Sequence, residues 1–361
     1  MALLAYAGLN RPGAGPPLVV KGDGEGYYAY LTAYLVDRDP SFVTLVARRF
    51  PTERQLQLSG LSLQPATGRY LDKYPPVVAL MTLPFFAAGH GLALLGGERA
   101  DGYGRSEQLA SGLAAIAWGV AGLAALRRLL LRWFPDPVTA ATLVCVGLGT
   151  SLLSYLALDS SYSHAFSFVA VSFTLLAVVR WRERPQSWRR SIELGLAAGL
   201  VIGLRPANVV AIAPLVAFGA ADRAGLRATA TLLRTSWARV LVAAAAAAPL
   251  VIATLAAWRF ATGRLTLFSY RDDEGFAFLR PQWQVLVSFR PHGLAPYAPV
   301  LVLAALGLVP LWRRHRRWFW PIATGLALHT YLLASWRDWP LGTAFGHRGY
   351  VDVNALFEKV S

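Results

Sequence analysis

Six apolar stretches of bilayer-crossing length govern what this chain can become: residues 108–131, 137–158, 164–180, 240–258, 295–312 and 318–335. A helix needs roughly 20 apolar residues to cross a bilayer, and every backbone polar group inside it must be satisfied internally. Between the stretches stand arginine clusters, "LRRLLLRWF" at 125–134, "RWRERPQSWRR" at 180–190, "DRAGLRATATLLRTSWAR" at 222–239 and "WRRHRRWF" at 312–319. Short basic loops stay cytoplasmic. Alternation then puts 159–163, 259–293 and everything from Trp336 onward outside. Composition agrees: 55% of the residues are hydrophobic and 15% charged, against about 45–50% and 25% in soluble domains. The net charge of +15 therefore reads as arginines that set topology and meet anionic lipid, with no nucleic acid as partner. The lone Cys145 excludes an internal disulfide and is expected to be a buried small residue.

The predicted fold class is an all-α polytopic transmembrane bundle forming a single membrane domain over 1–361. Residues 1–20, with about nine apolar residues before Asn10, read as a truncated first membrane helix. Residues 21–107 form a large first extracytoplasmic loop, 108–335 the bundle, and 336–361 an extracytoplasmic tail, also truncated. Within the loop, 75–97 is apolar but holds Pro84, several glycines and His90, and no basic cluster follows it. It is expected to lie in the membrane interface. One segment breaks the alternation. Residues 191–221 have basic flanks on both sides and are too short to cross twice. Pro206 bars helix for the residue before it, so two half-helices are expected to meet at Arg205. Broken backbone and a charge at membrane depth mark function.

Candidate chemistry gathers on the outer side. "KGDGEGYYAYL", 21–31, carries Asp23 and Glu25 among three glycines. It lacks the spacing of a dinucleotide fingerprint, and the calcium-loop positions counted from Asp23 fall on Tyr27 and Tyr34. What remains is an extracytoplasmic carboxylate on a segment where glycines leave room for a ligand. "YLDKYPPVVAL", 70–80, brings Asp72, Lys73 and Tyr74 to a rigid turn, where a lysine suits a lipid phosphate. His164 opens an outer helix in "LDSSYSHAFSF". Arg290 and His292 stand in "SFRPHGL", and Arg348 in the glycine-rich "GTAFGHRG". A base close to cations suits group transfer from a phosphate-bearing lipid. Plain structural roles, such as solvated turns, headgroup contacts and an aromatic belt at Trp336 and Trp339, account for the same residues one by one.

Taken together these segments resemble the GT-C class of polytopic glycosyltransferases, which includes the protein O-mannosyltransferases and the lipid A aminoarabinose transferases. Asp23 in "GDGEGYYAYL" matches the acidic residue of that family's first extracytoplasmic loop. "DKYPP" is similar to the acidic-Lys-Pro-Pro segment of the aminoarabinose transferases, which implies that Lys73 binds the lipid phosphate and that Asp72 supports it. The resemblance implies inverting transfer of a sugar from a polyprenyl-phosphate donor to an extracytoplasmic acceptor at a bacterial inner membrane. Asp23 would be the base or acceptor-orienting group, and Lys73 with Arg205 or Arg348 would hold the phosphate. Where the aminoarabinose transferases follow their acidic pair with arginine-tyrosine, this chain has Gly26-Tyr27, and Glu25 stands one position from the usual pair. No cofactor is implied beyond a divalent metal, for which the sequence shows no ligand set of proper spacing. The competing readings are a transporter or lipid flippase, and an inactive truncated relative.

Overall fold

The computed structural model describes residues 1–9, 19–270, 274–290, 292–342 and 344–357. In chain order the helices are α1 (Ala2–Leu9), α2 (Asp23–Leu31), α3 (Val43–Arg49) and α4 (Glu53–Ser59). A hairpin of β1 (Leu61–Gln64) and β2 (Arg69–Asp72) comes next, then α5 (Val77–Leu95), α6 (Arg105–Leu130), α7 (Asp136–Gly149), α8 (Leu152–Ala157), α9 (Ser163–Glu183) and α10 (Trp188–Leu204). The remainder comprises α11 (Val209–Ile212), α12 (Arg223–Thr235), α13 (Trp237–Thr262), α14 (Leu294–Tyr297), α15 (Pro299–Leu306), α16 (Leu308–Arg314), α17 (Arg316–Ser335) and α18 (Asn354–Phe357). Among the described residues the fold is thus all-α apart from one antiparallel hairpin, which pairs Leu61 with Asp72 and Gln64 with Arg69. Among the described residues, α5, α6, α9 and α13 are long and apolar enough to cross a membrane.

Three predicted segments differ from their expected form. Residues 137–158 break between α7 and α8, where Thr150 turns extended and its hydroxyl accepts the N–H of Leu152. Residues 295–312 divide at Ala298-Pro299 and at Gly307 into three short helices. Residues 75–97, expected on the surface, form one unbroken 19-residue helix through Pro84, with the length and composition of a span. The expected break at Arg205 is present. α10 ends at Leu204, Arg205 is extended, and short helical turns continue to Ala217. Cys145 is exposed on α7, contrary to expectation.

The chain divides into two compact units. The first holds Met1–Gly119, Leu153–Phe166 and Val251–Arg271; the second holds Val120–Leu152, Ser167–Leu250 and Asp272–Ser361. In the first, Tyr6 of α1 donates to the Leu109 carbonyl of α6 at 2.7 Å. His90 meets Glu107 at 2.5 Å, and Glu107 also accepts the N–H of Gly104 at the start of α6. The hairpin closes the end of α13. Thr67 donates to the Ala261 carbonyl at 2.6 Å, Arg69 donates to that of Phe260 at 2.7 Å, and Leu71 packs on Trp258 and Ala261. Those bonds satisfy carbonyls that a helix end leaves open.

In the second unit, Gly195 and Gly199 of α10 lie against the backbone of Ala243 and Ala247 in α13, an approach that a Cβ at either glycine would block. Gly349 through Phe357 are all buried in their unit, and the Asn354 amide donates to Thr150 at 2.9 Å.

Candidate functional site

The segment that the sequence presents as a glycine strap is the entrance to a helix. Gly22 takes φ +52° just before α2, a left-handed conformation that favours glycine. Lys21 pairs with Asp159 at 3.0 Å. The glycines leave no room for a ligand. A Cβ at Gly22 would meet the Tyr162 ring and hydroxyl, one at Gly24 the Ser161 side chain, and one at Gly26 the Ser59 carbonyl and the Tyr74 ring. The reading of this stretch as open space is therefore corrected: its glycines exist for close packing.

Helical geometry sorts the carboxylates. Asp23 lies one turn ahead of Tyr27, so the two share a face, whereas Glu25 points the other way. Tyr27 packs on Tyr74 with tilted rings whose centroids are 4.5 Å apart, and its hydroxyl donates to Ser163 at 2.8 Å. Next to Ser163, His164 is buried and meets Tyr155 edge to face at 5.1 Å. On the other face, Glu25 accepts from Arg49 at 3.2 Å, and the Arg49 guanidinium lies 4.2 Å from the Tyr103 ring centroid. Burial pushes the Glu25 carboxyl up, with Arg49 opposing. Glu25 is thus held in an ion pair away from the Asp23 face.

The strand end at Asp72 delivers the third carboxyl and the lysine. Asp72 is 1% exposed; one oxygen accepts the Tyr74 N–H at 2.8 Å, and the other has no hydrogen bond among the described residues. Burial drives this carboxyl well above the usual range, outweighing the Tyr74 N–H and the charge of Lys73. Lys73 is fixed through its backbone, donating to the Gly60 carbonyl at 3.1 Å and accepting from Ser269 at 2.6 Å. Its ammonium lies 5.5 Å from the Tyr74 ring centroid and 5.1 Å from that of Tyr270, within cation–π range. Tyr270 and Ser269 are not legible in the sequence as partners of this turn, since nearly 200 residues separate them from it.

An apolar groove of about 480 Å³ borders the same turn, lined among others by Tyr30, Tyr34, Pro76, Leu80, Ala257 and Phe260. Tyr30 donates to the Tyr74 carbonyl at 2.9 Å. Arg69 stands with its guanidinium 4.0 Å from the Phe260 ring centroid.

The first unit therefore brings Asp23, Asp72, Lys73, Tyr74 and His164 into one body; Glu25 belongs to it on another helix face. Arg205, Arg290, His292 and Arg348 belong to the second unit. There Arg205 pairs with Asp352 at 3.1 Å, and the Asn208 amide donates to the same carboxylate oxygen at 3.0 Å. Arg290 is exposed, His292 packs on Tyr297 at 5.0 Å, and Arg348 is half-buried. No three His, Cys, Asp or Glu side chains cluster as a metal would require among the described residues. Comparison of the chain with family models, with curated proteins and with solved structures finds no match.

Proposed function

We propose that this chain is an inverting membrane glycosyltransferase of GT-C type, moving a sugar from a polyprenyl-phosphate donor to a hydroxyl of an extracytoplasmic lipid, glycan or protein. The observation that carries this reading is Lys73, an ammonium set against two tyrosine rings on the turn that borders an apolar groove. Such a donor has a hydrocarbon chain, which the groove suits, and a phosphate, which lysine meets as a point charge. The four apolar helices favour a membrane setting, and the arginine clusters favour an outward-facing site.

In this reading Asp23, on the face that carries Tyr27 onto Tyr74, accepts the proton of the acceptor hydroxyl. The acceptor oxygen bonds to the anomeric carbon as the bond from that carbon to the phosphate oxygen breaks. The electron pair leaves on the polyprenyl phosphate, whose charge Lys73 stabilises. Asp72, buried, holds the turn by accepting the Tyr74 N–H. Arg205 is not assigned a part in this site, because within the second unit Asp352 already balances its charge.

The test is sugar transfer from a polyprenyl-phosphate donor by the purified chain in lipid. Asp23→Asn is expected to lower kcat by about 10²–10⁴-fold, and Lys73→Ala by about 10²–10³-fold. Unchanged rates in both variants would remove this site from the mechanism. Transbilayer movement of the lipid without any transfer product would favour a flippase instead.

A further inference from the structure

We infer that α12 is a membrane-surface helix that binds anionic phospholipid headgroups in the leaflet where α13 enters the bilayer, an inference that rests on the membrane reading of α13 but not on any transferase activity. α12 is capped by Asp222, the residue before it, whose side chain accepts the Gly225 N–H at 2.8 Å. One face fastens it to its own unit. Thr229 is buried and accepts from Arg182 at 3.2 Å, and Gly225 lies against Ala220.

A second face is apolar. Leu226, Ala230 and Leu233 succeed one another at helical spacing and form a stripe, and Leu226 is 53% exposed. Along one edge of that stripe run Arg223, Arg227 and Arg234, all exposed, and α12 itself holds no acidic residue. An apolar stripe edged by arginines is the pattern of a helix lying in the headgroup layer.

The junction between α12 and α13 selects lipid over an acidic protein as the occupant. After Ser236 the chain passes directly into α13, whose most apolar stretch is only 6% buried. Leu241 and Ile252 are well exposed, and Trp237, the first residue of α13, is 63% exposed. Tryptophan concentrates at the membrane–water boundary. A helix one residue ahead of such an entry point is held at headgroup depth, where each basic residue gains from anionic lipid.

The test uses the full chain with Cys145→Ser, reconstituted in nanodiscs of phosphatidylcholine alone or with phosphatidylglycerol. Spin labels at Leu226→Cys, Ala228→Cys and Ile252→Cys report exposure to oxygen, which enters the bilayer, and to a water-soluble relaxant. The Leu226 label is expected to favour oxygen, the Ala228 label the water-soluble agent, and the Ile252 label oxygen most strongly. Arg223→Gln, Arg227→Gln and Arg234→Gln together should weaken association of spin-labelled phosphatidylglycerol, by roughly fivefold per arginine, with the thermal midpoint unchanged. A Leu226 label in water in both lipids, or shielded from both agents by a partner or a second copy, overturns the proposal. So does unchanged lipid selectivity in the triple variant. An Ile252 label outside the hydrocarbon would instead overturn the membrane reading beneath it, whatever the outcome of transfer assays.

Discussion

Asp72 shows how one buried group makes stability depend on pH. Because burial raises its folded value, the native state holds the proton more tightly than the unfolded chain. Stability contributed at this position is therefore complete at low pH and is lost as pH rises above the ordinary carboxylate value of about 3.9. Asp72→Asn keeps an acceptor for the Tyr74 N–H and removes the charge. It is expected to raise the thermal midpoint at neutral pH and to give no gain at about pH 3, below that ordinary value. Melting curves at both pH values decide it, and an equal gain at each would show that Asp72 does not titrate in this way. The Arg205–Asp352 pair works differently. Asp352 is 1% exposed, and removing one partner of such a pair typically costs about 3–5 kcal/mol, whereas replacing both with apolar residues is often neutral. Asp352→Asn should therefore lower stability by about 3–5 kcal/mol, and Arg205→Met with Asp352→Leu should recover most of it. Denaturation in detergent, with the single and the double variant side by side, checks this; equal losses in both would show that the pair is not coupled.

At the scale of elements, α2 opposes two magnitudes. Alanine at Gly26 would gain about 1 kcal/mol in helix propensity. Its Cβ would also strike the Ser59 carbonyl and the Tyr74 ring, and overpacking costs about 1–3 kcal/mol. Gly26→Ala is therefore expected to be net destabilising; a higher thermal midpoint would contradict it, and under the proposed function the variant should also raise KM for the donor by moving the turn at Lys73. The hairpin gives a second expectation. Thr67→Val with Arg69→Ala opens two carbonyls of the last turn of α13, about 0.5–1.5 kcal/mol each, and amide exchange there should quicken while α5 is unaffected. Much of this layer is legible in the sequence. Pro206 announces the break at Arg205, and α6, α9 and α13 stand within a few residues of their predicted bounds. The hairpin is not among the predicted elements, although Leu61 and Leu63 alternate with polar residues ahead of the Pro65–Gly68 turn. The break at Thr150 has no proline or glycine run beyond Gly149 and depends on bonds to Leu152 and Asn354, which no local pattern displays.

For the whole molecule, the division into two units is not readable because three separate stretches of chain make up each one, so no linker stands between them in sequence. The same interleaving hides partners. The lysine turn can be picked out as a candidate, but its dependence on Ser269 and Tyr270 cannot, and Arg205 can be marked as costly without revealing Asp352. That last separation has a consequence for how the protein is made. Asn208 and Asp352 are 144 residues apart, and ribosomes add about 5–20 residues per second. For roughly 7–30 seconds at that rate, the nascent chain carries an arginine in a broken helix before its carboxylate exists. Until Asp352 has been made, that charge must be balanced by something other than its carboxylate, so the second unit cannot close around Arg205 before the 348–357 segment has joined it.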